Sequence, residues 1–125
     1  MLRQFFKSFG HAVRGIIIVF KEEQSFRVQV LAAFIVLALM FVFPLNIVEK
    51  SILILLIIIV LALEMLNSVL ERFIDVFKPR VHEYIKDIKD IAAGAVFISS
   101  LGSFLIGIII FYPHVYILIK DSIGL

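Results

Sequence analysis

The chain has 125 residues, 62% of them hydrophobic, a mean hydropathy of +1.13 and a formal net charge of +2. A soluble domain of this size has too little interior to hide so much apolar surface, so the composition points to an integral membrane protein. The absence of cysteine excludes disulfides and cysteine metal sites, and no basic run with interleaved exposed aromatics supports nucleic-acid binding.

Taken in order, Leu2, Phe5, Phe6, Phe9, Val13, Ile16, Ile17 and Phe20 recur at helical spacing. Arg3, Gln4, Lys7, His11, Arg14 and Lys21 fall mainly elsewhere. This pattern predicts a basic amphipathic helix over 2–21, lying in a membrane surface or packed on another protein. The basic positions alternate with Phe and Ile, which is unlike a cleavable signal peptide. KEEQSFR (21–27) reads as a polar break. The next apolar segment, with Gln29 as its polar interruption, predicts a transmembrane helix over about 28–45. Pro44 and Asn46 mark the turn after it.

A second span is expected over about 51–77. Residues 52–63 contain no polar side chain but are too few to cross a bilayer, which takes roughly 20 residues. The helix must therefore continue past Glu64, and Pro79 is expected to end or kink it. A third span is expected over about 82–111, interrupted by Gly94, Ser99, Ser100, Gly102, Ser103 and Gly107, small residues that let helices approach closely in lipid. YPHVY (112–116) reads as its interfacial ending. Five Lys and Arg (Arg3, Lys7, Arg14, Lys21, Arg27) precede or open the first span. Five more (Arg72, Lys78, Arg80, Lys86, Lys89) lie between the second and third, leaving Lys50 and Lys120 for the other side. The positive-inside rule then places the N-terminus and the 72–90 segment in the cytoplasm.

The second span carries the chemistry. In ALEMLNSVLERFID (62–75), Glu64, Asn67, Glu71 and Asp75 follow at offsets of three, four and four, within roughly 80° of one helical face. A carboxylate at membrane depth is costly and needs a partner or a task. Glu64 can serve as a general base or as a helix–helix hydrogen-bonding group. Asn67 can orient it or join helices. Glu71 and Asp75 can hold a divalent cation or form a solvated helix end. Lys89 can neutralise phosphate charge, and with His82, Lys86 and Asp90 it can equally form a solvated face. No glycine-rich phosphate loop is present, so side-chain cations and a metal would have to hold any nucleotide.

These motifs resemble those of the small bacterial membrane lipid kinases, the diacylglycerol and undecaprenol kinases. The carrying stretches are FFKSFGHAVRG (5–15), EEQSFR (22–27), EMLNSVLERFID (64–75), His82 and KDIAAGAV (89–96). The resemblance implies an all-α integral membrane protein of one domain, with a surface helix and three transmembrane helices. It also implies a homotrimer in a bacterial cell membrane, with sites where protomers meet. It implies transfer of the ATP γ-phosphoryl group, with Mg²⁺, to a lipid hydroxyl. By the same resemblance Glu64 is the base and contacts the lipid, with Asn67 beside it. Glu71 holds the metal. His11, Gln29, Glu71, Asp75, His82, Lys89 and Asp90 surround the nucleotide. Gln29 stands where the diacylglycerol kinase branch has a second metal-binding carboxylate. Ala93 replaces a serine near the lipid site of that branch, and the Ala-Ala-Gly run around it resembles the undecaprenol kinases of Gram-positive bacteria. Gln4 falls where an ATP-contacting arginine is often found, with Arg3 adjacent. Undecaprenol is the expected acceptor, diacylglycerol the alternative. A small proton-coupled transporter, using Glu64 for both substrate and protons, is the competing reading.

Overall fold

A computed structural model of the chain describes residues 1–77 and 82–125, with His82 and Glu83 described in their backbone alone. The expected break at Pro79, and the side chains of Lys78, Arg80 and His82, lie outside the described residues. Four helices follow in order: α1 Leu2–Glu22, α2 Gln24–Val42, α3 Ile47–Phe77 and α4 His82–Ser122. Three of them, α2, α3 and the 84–122 part of α4, are long and apolar enough to cross a membrane. At 1.5 Å per residue the 31 residues of α3 reach about 46 Å, well beyond a hydrocarbon core of about 30 Å. One end of α3 therefore projects into water with its charged residues.

The expected polar break over 21–27 contracts to a single extended residue, Glu23, between α1 and α2. Arg27 makes so tight a junction possible. Its Nη1 donates to the carbonyls of Phe20 (2.9 Å) and Lys21 (2.8 Å), two of the acceptors that the end of α1 leaves open. Phe26 is buried at 2% exposure and anchors the corner. Arg72 of α3 pairs with Glu22, tying the end of α1 to α3.

The other turn, between α2 and α3, is fixed by a reciprocal cap. Glu49 N–H donates to Asn46 Oδ1 (2.8 Å), and Glu49 Oε1 accepts from the Asn46 N–H (3.4 Å). This cap starts α3 at Ile47, before the apolar run at Ile52 becomes continuous. Met40, Leu45, Leu53 and Ile110 form the buried core at this turn end, with Phe43 and Phe111 packed against it. Most other apolar side chains of the three long helices are exposed, as expected where hydrocarbon is the solvent.

The helix α4 continues through Pro113 to Ser122, past the ending expected at 112–116. Proline removes one helical hydrogen bond and crowds the preceding turn. In spans packed on neighbours such a position is tolerated. Here His114 Nε2 lies 3.2 Å from Glu49 Oε2, and its ring meets Phe43, so the segment beyond Pro113 is held against the cap of α3.

Candidate active site

The site lies at the opposite end of the bundle from that core. Leu53 and Glu64 are 11 residues apart on α3, about 16 Å along its axis. Glu64 is turned into the protein, at 4% exposure. Ser25 Oγ donates to its Oε1 at 2.5 Å, and Gln29 Nε2 donates to its Oε2 at 3.0 Å. Both partners come from the first turns of α2, where the tight α1–α2 corner puts them. A buried carboxylate needs hydrogen-bond donors, and α2 supplies one to each oxygen.

One turn along α3, Ser68 is buried at 2% exposure and donates to Glu23 Oε1 at 3.2 Å. Three residues further, Glu71 is half-buried and accepts from Asn67 Nδ2 at 3.4 Å. The structure thus brings Glu64, Asn67, Glu71 and, through Ser68, Glu23 onto one face. Asp75 lies a turn beyond, with Lys89 Nζ at 3.8 Å from its Oδ1. That contact joins α3 to α4 and brings two of the sequence-predicted residues together.

Other expected positions stand apart. Gln29 sits at Glu64, not at Glu71. Glu71 lies seven residues further along α3, roughly 10 Å of helix from Glu64. His11, Asp90 and Ala93 are exposed on α1 and α4. Residues that sequence reasoning missed are Glu23 and Ser25. Ser68 borders the carboxylate face and was legible as a neighbour. Glu23 and Ser25 reach the site through contacts 45 and 39 residues away in sequence, which helical periodicity cannot register. Among the described residues no three His, Asp or Glu side chains cluster as a metal cage. Oxygen donors of the kind Mg²⁺ uses are present in Glu71 of α3 and in Glu23 of the α1–α2 corner, which meets α3 at Ser68.

A family model described as prokaryotic diacylglycerol kinase matches residues 10–111. The chain belongs to that family. The match contains every carboxylate of the site and both corners that position it. An undecaprenol kinase of Bacillus subtilis (strain 168) is 41% identical over 112 residues, 90% of this chain and 91% of that protein. A diacylglycerol kinase of Synechocystis sp. (strain ATCC 27184 / PCC 6803 / Kazusa) is 30% identical over 101 residues, 80% of this chain and 58% of that protein. Family membership makes the chain a membrane lipid kinase, and the transporter reading falls away.

Proposed function

We propose that the chain phosphorylates undecaprenol, using ATP with Mg²⁺ and giving undecaprenyl phosphate. The observation that carries this reading is Glu64, a carboxylate enclosed within an apolar helix and held by two donors, with further carboxylates stepping from it toward the charged end. The identity to the Bacillus subtilis undecaprenol kinase supports the acceptor. The family description and the Synechocystis relative support diacylglycerol as the alternative.

Glu64 takes the proton of the lipid hydroxyl as its oxygen attacks the γ-phosphorus. The bond from that phosphorus to the β–γ bridging oxygen breaks, and ADP leaves. Such transfer needs positioning and charge neutralisation more than covalent help. Ser25 and Gln29 fix both oxygens of the base, and Asn67 orients Glu71. When bound, Mg²⁺ neutralises phosphate charge. Glu71 and Glu23 are the side chains to hold it, in place of the pairing of Glu71 with Gln29 implied by the resemblance, because Glu23 is a carboxylate and meets the adjoining turn of α3 at Ser68, whereas Gln29 offers a neutral oxygen and is anchored at Glu64. Asp75, His82, Lys89, Asp90 and His11 are the positions that the family resemblance assigns to the nucleotide. The surface helix α1 rests in the interface of the cell membrane, and the positive residues put its end of the bundle in the cytoplasm. Asp90 and Ala93 are exposed in the single chain, which fits a homotrimer whose neighbouring copy completes each site.

Lys89→Ala should raise the KM for ATP about fivefold, the upper scale of one solvent-exposed ion pair, while leaving the KM for the lipid alcohol unchanged. Equal changes in both would assign Lys89 to holding Asp75 alone. The substrate is tested by presenting undecaprenol and diacylglycerol together in mixed micelles with Mg²⁺ and labelled ATP. Label should enter undecaprenol preferentially; preference for diacylglycerol would replace the acceptor, and label in neither would contradict the reading.

A further inference from the structure

The carboxylate of Glu64 is nearly closed off. At 4% exposure it offers almost no surface to a hydroxyl arriving from outside the chain. Its two oxygens are connected differently. Oε2 accepts from the Gln29 amide at 3.0 Å, and an amide N–H is a donor that does not ionise. Oε1 accepts from Ser25 Oγ at 2.5 Å, the short distance of a hydroxyl donating to an ionised carboxylate. Ser25 is exposed, whereas Gln29 is half-buried. The Ser25 hydroxyl is therefore the surface-facing end of the base.

The α1–α2 corner sets that hydroxyl beside two adjoining turns of α3. Glu23 meets α3 at Ser68, four residues or about 6 Å of helix beyond Glu64. Ser25, two residues later in the chain, meets α3 at Glu64 itself. Phosphates bound with Mg²⁺ at Glu23 and Glu71 would bring the γ-phosphorus to this corner. An acceptor oxygen approaching it then meets Ser25 Oγ before Glu64. Ser25 also lies in the first turn of α2, which starts at Gln24 without a side-chain cap. The positive end of the helix dipole and the open N–H groups there favour negative charge on oxygen. That suits an Oγ that gains electron density while its proton leaves.

We propose that Ser25 is a catalytic residue, a relay through which the acceptor's proton reaches Glu64. The proposal rests on the kinase reading above and deepens it by giving the path of the proton. The lipid hydroxyl donates its one hydrogen to Ser25 Oγ, whose lone pairs are open because its own hydrogen points to Glu64 Oε1. As the lipid oxygen attacks the γ-phosphorus, its proton passes to Ser25 Oγ and the Ser25 proton passes to Oε1. The bond from phosphorus to the β–γ bridging oxygen breaks, and ADP leaves with that electron pair. Ser25 ends as a neutral hydroxyl and Glu64 as a carboxylic acid. The acid then returns its proton to water through the same exposed hydroxyl. Gln29 holds Oε2 throughout and carries no proton.

Single-turnover phosphorylation of the accepted lipid alcohol, quenched rapidly at saturating Mg²⁺–ATP, reads the chemical step. Ser25→Ala should lower that rate about a hundredfold, the lower end of what a general base supplies, and leave the KM for ATP unchanged. Ser25→Thr keeps a hydroxyl and should restore most of the rate. Repeating the measurement in mixtures of H₂O and D₂O counts the protons in flight. Two protons moving together make the wild-type rate fall along a curve as deuterium rises, whereas the residual rate of Ser25→Ala should fall along a straight line. A serine that only held Glu64 in place would leave the wild-type line straight as well. A straight wild-type line, an undiminished rate in Ser25→Ala, or no recovery in Ser25→Thr would each overturn the relay, while lipid phosphorylation by wild type keeps the kinase reading. If wild type phosphorylates neither undecaprenol nor diacylglycerol, both readings fall.

Discussion

Glu64→Gln is expected to lower kcat by about a hundredfold to ten-thousandfold, the range supplied by a positioned general base. The amide is nearly the same size, so the test isolates proton affinity from shape. Ser25 and Gln29 each donate to one carboxylate oxygen, and an amide offers one oxygen and one NH₂. The amide oxygen accepts from Gln29 Nε2 and the NH₂ donates to Ser25 Oγ, a hydroxyl that accepts as well as donates, so both contacts survive and the helices stay assembled. Circular dichroism and detergent-resistant self-association should match wild type while phosphorylated lipid disappears. A variant that keeps wild-type kcat would remove Glu64 from the chemistry and return it to helix packing.

The second large effect is on the cation. Glu71→Gln should raise the Mg²⁺ needed for half-maximal rate by about tenfold to a hundredfold, because Mg²⁺ sites of this kind rest on one or two carboxylates. The KM for ATP should rise with it, since metal and phosphates bind together. The KM for the lipid alcohol should stay within twofold. Glu23→Gln should act in the same direction, and Gln29→Ala should not. That contrast separates the two candidate partners of Glu71, because Glu23 meets the adjoining turn of α3 at Ser68 whereas Gln29 meets Glu64. Similar changes in metal, ATP and lipid requirements for Glu71→Gln would make it a structural residue.

Much of this was legible before any coordinates. The spans follow from hydrocarbon runs too long for a small soluble core. The carboxylate face follows from offsets of three and four, which a helix converts directly into neighbours. What periodicity cannot carry is contact between distant segments. The α1–α2 corner delivers Glu23, Ser25 and Gln29 to α3 only because Arg27 closes the end of α1 and leaves a one-residue turn. The polar composition of 21–27 marks a break but not its tightness. Likewise Pro113 reads locally as a stop, whereas the Glu49–His114 contact, 65 residues apart in sequence, holds the helix beyond it. The resemblance located the nucleotide and metal chemistry by analogy. It matched Gln29 to a metal-binding position, and only the geometry of α2 shows that amide turned toward Glu64.

Manganese can report directly on whether base and metal work as separate stations on one helix face. Titrating Mn²⁺ and ATP into purified Glu64→Gln protein, with bound Mn²⁺ read by electron paramagnetic resonance, tests this division of labour. Wild-type affinity for the Mn²⁺–ATP pair, together with no phosphorylated undecaprenol, is the predicted result. Loss of Mn²⁺–ATP binding in that variant, or undiminished lipid phosphorylation, would contradict it.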